Sequence, residues 1–349
     1  MEGVVRAGKA SFRFVTVALA AGFLLPALPG AAAPAPAGPS ATASAPAAPT
    51  ATQRRKQTAA QKRRAAARRR AAARARQAAA NRALKAAMTP RYRTDNAGNT
   101  VPDVRAEAAI VFNPNTGEVL WEENSRAPRS IASITKVMTA IVFMADEPSL
   151  DEFITIARSD VTRASVTYMR AGERIRLRDV LHLALIASDN GAARALARTS
   201  EGGMQGFVAR MNEKASQLGL QSTRFAEPSG LDANNISSAY DVSHMISFAA
   251  NDPTIGAVMK KETHKFYTDR RAITIKSTNK LLGDYSISAA KTGFTRKAGF
   301  CLATLLNMPG STDQVAVVVL GAPSSVNRFW ETRHLFNWVK DKAADLFHQ

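Results

Sequence analysis

From Arg271 onward the chain alternates short apolar runs with polar or turn residues: ITIKS, YSISAAK, FCLATLLNM and QVAVVVLGA. Runs of this length and composition predict strands. Upstream the period changes, and Ile131 to Met144, Leu177 to Thr199, Gly206 to Leu218 and Ala239 to Ala250 place apolar residues at helical spacing. The second of these stretches divides into two short helices meeting near Ser188 and Asp189. Earlier still, EAAIVFN (Glu107 to Asn113), PNTG and Glu118 to Trp121 predict a β-hairpin, with Asn115 and Gly117 supplying the turn chemistry. A closing helix from about Ser325 to Phe347 carries Phe329, Leu335, Phe336, Val339 and Leu346 on one face. A hairpin, then helices, then strands and a last helix suit an α+β domain in which helices pack on one antiparallel sheet. The pattern starts at about Val101, and no internal repeat is visible.

The first hundred residues follow different rules. They hold 18 Lys and Arg against 2 acids, a net +16 of the whole chain's +19. The basic pI therefore belongs to an appendage and says little about the domain. Arg6, Lys9 and Arg13, the apolar run Phe14 to Leu25 and the small residues ending at Ala33 predict a cleavable export signal over residues 1–33. That apolar run is too short to cross a bilayer comfortably. Residues 34–52 are an Ala/Pro-rich linker. From Gln53 to Met88 come thirteen Lys or Arg, no acid, and little apolar besides Ala. This stretch opens a basic arm over 53–100, disordered or partly helical, that breaks near Pro90. Behind an export signal the polyanions within reach are envelope surfaces, so the arm either binds there or is a solvated spacer, and nucleic acid is not expected.

The single cysteine, Cys301, excludes an intramolecular disulfide and reads as a small buried hydrophobe. Five histidines without HExxH spacing, and no Cys cluster, give no metal site; no cofactor motif is present either. What stands out is Ser133-Ile134-Thr135-Lys136 at the start of an apolar helix. At a spacing of three, hydroxyl and amine share a helix face, and a lysine set among apolar side chains has a lowered pKa and can take the serine proton. The pattern alone is cheap, because Ser277 to Lys280 and Ser288 to Lys291 also fit SxxK, and SxN begins at Ser188, Ser277 and Ser325. Context separates them. Ser133 opens a helix after a hairpin, Ser188-Asp189-Asn190 joins two helices, and Lys291-Thr292-Gly293 is the only KTG in the chain and lies on a strand.

SITK, SDN and KTG in this order resemble the penicillin-recognising serine acyltransferases, and the surrounding segments are similar to the low-molecular-weight D-alanyl-D-alanine peptidases. Those segments are AAIVFNPNTGEVLWEEN, SIASITKVMTA, ALIASDNGAARALA, FAEPSGLDANNISSAYDVSHM, STNKLLG and AAKTGFTRKAGFCLA, so the resemblance covers about residues 105–325. It implies a β-lactamase/transpeptidase-like α+β fold, with a five-stranded antiparallel sheet flanked by helices in one catalytic domain over 101–349. It also implies roles. Ser133 would form the acyl-enzyme, Lys136 would be the base, Ser188 would relay the proton to the leaving group and Asn190 would hold Lys136 and a substrate amide. Lys291, Thr292 and Gly293 would receive substrate along the strand edge, with the backbone NH groups of Ser133 and Phe294 forming the oxyanion hole.

The implied partners are peptidoglycan stem peptides and cross-links, with β-lactams as inhibitors and the periplasm as the compartment. Between the family's branches, the 28 residues after Gly321 are too few for an added β-domain and anchoring helix. The expectation is therefore a soluble endopeptidase cutting D-Ala cross-links, with a carboxypeptidase as the alternative. A β-lactamase is the nearest rival outside that pair, but Glu227-Pro228-Ser229-Gly230-Leu231 departs from the ExxLN pattern, and Gly230 reads as a turn residue in the peptidases' own loop. A wall-binding protein with a spent site would not need intact SITK, SDN and KTG.

Overall fold

The computed structural model describes residues 51–283 and 286–342. The expected export signal, nearly all of the linker and the far end of the last helix with Leu346 lie outside the described residues. The chain divides into two units, residues 1–67 and 68–349.

Ala51–Met88 is one helix of 38 residues, α1. Ala and Arg are strong helix formers and nothing interrupts them, so the arm is more fully helical than its lack of an apolar stripe suggested. Its described side chains are almost all exposed, and it stops just before Pro90, where the α conformation is disfavoured. Strands β1 (Tyr92–Thr94) and β2 (Thr100–Pro102) follow as an antiparallel pair. The Asp95 carboxylate closes their turn by accepting from the Ala97 and Asn99 amides at 2.9 and 2.8 Å. This ribbon straddles the expected start of the domain at Val101.

β3 (Ala108–Phe112) and β4 (Val119–Glu123) are the expected hairpin. Next come β5 (Arg129–Ser130), a 3-10 turn (Ala132–Ile134), α2 (Thr135–Ala145), β6 (Phe153–Thr155) and α3 (Arg158–Val161). The middle of the chain contains β7 (Arg174–Arg176), α4 (Leu177–Ile186), α5 (Asn190–Thr199), α6 (Gly203–Gln217) and β8 (Ile236–Ser237). Then follow α7 (Ala239–Asn251), α8 (Pro253–Met259), β9 (Thr263–Tyr267) and β10 (Ala272–Lys276). The chain ends with β11 (Ile287–Thr295), β12 (Gly299–Asn307), β13 (Gln314–Ala322) and α9 (Ser325–Asp341). The short α8, with Pro253 at its start and Asp252 accepting from the Thr254 and Ile255 amides, carries too little periodicity to be read from sequence.

The five-stranded antiparallel sheet has the order β11-β12-β13-β3-β4. One face carries Ile110, Phe112, Cys301, Ala303 and Val318 into the core shared with most of the helices. The other face, with Val111, Leu302, Val317 and Val319, is covered by Phe329, Leu335, Phe336 and Val339 of α9. Central β13 is buried on both faces, which is why QVAVVVLGA is continuously apolar instead of alternating. ITIKS, by contrast, is outside the main sheet: β10 pairs with β9 in a separate ribbon and alternates buried Ile273 and Ile275 with exposed neighbours. Cys301 is a fully buried core residue, as its apolar surroundings suggested. The architecture leaves β11 as a sheet edge, with KTG along it.

Candidate active site

SIASITK does not begin a regular helix at Ser133. The serine sits in the 3-10 turn, no side chain caps that turn or α2, and Ala132 takes a left-handed φ of 48°. The Thr135 hydroxyl donates to the Ala132 carbonyl at 2.8 Å and holds the turn. The spacing of three nevertheless brings Lys136 beneath the serine, with Nζ 3.0 Å from Ser133 Oγ. Lys136 is fully buried, and its Nζ also lies 2.6 Å from Asn190 Oδ1 and 2.6 Å from the Ser229 carbonyl. Desolvation brings its pKa from 10.5 to about 7; Glu227 and Asp189 partly oppose that fall and Arg194 adds to it. A neutral amine has two N–H bonds and one lone pair. Donation to Asn190 and Ser229 uses both hydrogens and leaves the lone pair for the Ser133 hydroxyl.

The SDN segment joins α4 to α5, with Ser188 at a φ of 60°. Asp189, not Asn190, is the cap of α5: one carboxylate oxygen accepts from the Ala192 amide at 2.9 Å, the other from the Tyr168 amide at 2.6 Å. Asn190 is thereby free for other work. Its Nδ2 donates to the Ala164 carbonyl at 2.7 Å while Oδ1 accepts from Lys136, a division of labour only an amide can perform.

Lys291, Thr292 and Gly293 lie on edge strand β11. The buried Lys291 ammonium donates to Ser188 Oγ at 2.8 Å and to the Thr292 carbonyl at 2.9 Å. Desolvation holds its pKa well below the ordinary value, and the positive neighbours Lys136 and Arg328 push the same way. Thr292 shares a 2.6 Å hydrogen bond with Thr278. At Gly293 a Cβ would stand 2.8 Å from the Ile131 carbonyl and 3.2 Å from the Ser133 amide, so the strand edge runs against the serine turn and only glycine fits. Phe294 is half exposed and stacks on Phe300 at 4.2 Å. Ser133, Lys136 and Asn190 thus form one contact group, Lys291 and Ser188 a second, and the two groups meet through the SDN segment.

The competing motif matches serve local structure. Ser288 donates to Asn307 at 2.7 Å, Ser277 accepts from the Asn279 amide at 3.1 Å, and Lys280 is exposed. Among the described residues no cluster of three His, Cys, Asp or Glu could hold a metal.

Several contributors escaped the sequence reading of the site. Glu227 accepts from Ser229 N at 2.8 Å, Ser229 Oγ at 2.5 Å, Leu231 N at 2.8 Å, Asn235 Nδ2 at 2.7 Å and the Gly230 amide. It folds the EPSGLD loop so that the Ser229 carbonyl faces Lys136, and the Thr139 hydroxyl pins the same loop through Pro228 O at 2.6 Å. Arg328 of α9 donates to the Gly293 carbonyl at 3.0 Å behind the KTG strand; burial brings its pKa from 12.5 to about 10. The turn residues of EPSGLD were the one visible signal for the first of these. Nothing local announced Arg328.

Residues 95–324 match the family described as D-alanyl-D-alanine carboxypeptidase, peptidase family S11. The chain is 35% identical over 244 residues to the D-alanyl-D-alanine endopeptidase of Pseudomonas aeruginosa, covering 68% of this chain and 78% of that protein. It is 32% identical over 247 residues to the enzyme of the same name from Escherichia coli, with the same coverage. A D-alanyl-D-alanine carboxypeptidase of Salmonella typhimurium is 31% identical over 263 residues, covering 70% of this chain and 65% of that protein. Among solved structures, a variant of the Streptomyces K15 DD-transpeptidase superposes with a TM-score of 0.64 at 27% identity, covering 68% of this chain and 98% of the other. The D-alanyl-D-alanine carboxypeptidase of Mycobacterium tuberculosis gives 0.63 at 27% identity, covering 68% and 92%. The chain belongs to the D-alanyl-D-alanine carboxypeptidase family of serine hydrolases.

Proposed function

We propose that the domain is a peptidoglycan D,D-endopeptidase that opens D-Ala-containing cross-links through a serine acyl-enzyme and is inhibited by penicillin. The observation that carries the acyl-enzyme is Lys136: buried, with a pKa of about 7, and 3.0 Å from Ser133 Oγ. Ser133 attacks the carbonyl of the penultimate D-Ala while its proton passes to the Lys136 lone pair. The oxyanion forms against the amides of Ser133 and Phe294, and Ser188, held by Lys291, delivers a proton to the departing amine. Lys291 and Thr292 receive the substrate's carboxylate-bearing end, and water then releases the acyl group. Glu227 has its carboxylate engaged by loop donors, so it does not activate that water, and β-lactam adducts are slow to hydrolyse.

Endopeptidase is preferred because the Pseudomonas and Escherichia relatives that match 78% of their length to this chain carry that name. The family description and the Salmonella relative favour the second reading, a carboxypeptidase that trims the terminal D-Ala of stem peptides. Digestion of purified cross-linked and uncrosslinked muropeptides decides between them. The expected result is conversion of cross-linked dimers to monomers without release of free D-Ala. Release of D-Ala from monomers with dimers left intact would establish the carboxypeptidase.

The reading includes export to the periplasm. Among the described residues no helix is long and apolar enough to cross a membrane. The arm, with thirteen Lys or Arg and no acid over Gln53 to Met88, holds the domain at anionic envelope surfaces. Deleting residues 53–88 is expected to weaken binding to isolated sacculi at low salt and to flatten its salt dependence. Unchanged binding and slope would remove the tether from the proposal.

A further inference from the structure

The SDN segment does not hold itself in place. Three of its contacts come from the loop between α3 and β7: the Ala164 carbonyl accepts from Asn190 Nδ2, the Val166 carbonyl accepts from the Asn190 amide at 3.0 Å, and the Tyr168 amide donates to Asp189. This loop contains Arg163 and Ser165 at left-handed φ of 53° and 61°, a conformation that non-glycine residues keep only when their surroundings enforce it. A second anchor of the same loop, at Tyr168, lies at the tip of the β9–β10 ribbon.

Arg271 Nε donates to Glu173 Oε1 at 2.6 Å, and its Nη2 donates both to Glu173 Oε2 at 3.1 Å and to the Tyr168 carbonyl at 2.5 Å. The Glu173 side chain is fully buried and also accepts from the Arg170 amide at 2.9 Å. The ribbon tip is itself fastened along the same segment, with Arg174 N donating to Asp269 at 2.8 Å and Arg270 Nη2 donating to the Gly172 carbonyl at 2.8 Å. Tyr168 is therefore a one-residue bridge, its carbonyl held by Arg271 and its amide by Asp189 of the motif. From Asp189 the next residue is Asn190, the acceptor for Lys136.

We propose that Arg271 and Glu173 are positioning residues for acylation: their paired fork holds the Ala164–Tyr168 loop so that Asn190 is aimed at Lys136 and the lysine lone pair at Ser133. This rests on the serine acyl-enzyme reading above and assigns its geometry to a clamp 98 residues apart in sequence. A lysine at position 271 would still give the buried Glu173 a counter-charge, but a single ammonium cannot reproduce a planar fork reaching carboxylate and carbonyl together.

The test uses the full chain and a fluorescent penicillin over a range of concentrations, which separates the dissociation constant of the encounter complex from the acylation rate constant. Arg271→Lys and Glu173→Gln are each expected to reach the wild-type final stoichiometry of label about tenfold more slowly or worse, with the dissociation constant within about twofold, as expected for a small misplacement of reacting groups. A lower final stoichiometry at an unchanged rate would mean fewer folded molecules and would overturn the proposal. So would wild-type acylation rates in both folded variants, or a loss confined to the dissociation constant. Absence of label on the wild-type chain would instead sink the serine reading itself, and the clamp with it.

Discussion

Ser133→Ala is expected to give no covalent label with fluorescent penicillin, and Lys136→Arg to slow labelling by about a thousandfold, within the range a general base contributes. The two variants lose different things. The first removes the oxygen that would bond to the acyl carbon in the proposed mechanism. The second keeps a positive charge but has no lone pair at any working pH, so the Ser133 proton has no acceptor. The wild-type rate should also depend on pH with a known sign. Lys136 carries its proton below about pH 7 and loses it above, so the acylation rate rises with pH through about 7. Burial sets that midpoint, with Glu227 and Asp189 raising it and Arg194 lowering it. A rate that falls as pH rises from 6 to 8 would show that the charged ammonium, not the neutral amine, is the working form. Stopped-flow acylation over that range, alongside gel labelling of both variants, provides the measurement.

Gly230→Ala should be nearly as damaging, although it touches no reacting atom. A Cβ at this position would lie 2.1 Å from the Ala132 carbonyl oxygen, 2.4 Å from its carbon and 2.8 Å from the Ser133 amide. All three are backbone atoms of the turn that carries Ser133, so the methyl group displaces the serine or the EPSGLD loop. The φ of +82° adds a conformational cost of about 1 to 3 kcal/mol. A shift of about 1 Å in reacting groups costs on the order of a hundredfold in rate, and acylation is expected to fall at least that far. Gly117→Ala is the control, since φ there is +78° with nothing within 4 Å of the added atom. It should lower thermal stability by the conformational cost and leave acylation unchanged. Equal acylation in the two variants would show that the close approach at Gly230 has no bearing on the nucleophile.

Neither residue announces its weight in the sequence to the same degree. Ser133 and Lys136 are three positions apart, and helical rise and turn put such a pair on one face whatever the rest of the chain does. The hairpin through PNTG, the helices on either side of Ser188 and the apolar face of α9 were legible for the same reason, because their periods and turn residues act over a few positions. Gly230 was readable only as a turn residue. The need for glycine there comes from the Ala132 backbone, almost a hundred residues earlier in the chain. Likewise ITIKS was readable as a strand, but its place in a separate ribbon with β9 depends on partners that a period of two does not name.

What the sequence determined by itself was the list of reactive groups and their local order: a serine one turn before a lysine, a hydroxyl and an amide between two helices, and a lysine, threonine and glycine on a strand. Tertiary structure alone decided that these groups meet. Lys136 meets Asn190 across 54 positions and the Ser229 carbonyl across 93, and Lys291 meets Ser188 across 103. The carbonyls of Ala164, Tyr168 and Ser229 have no side-chain signature, because every residue carries one. Burial is likewise a property of the packed chain, and it is burial that lowers the lysine pKa toward 7.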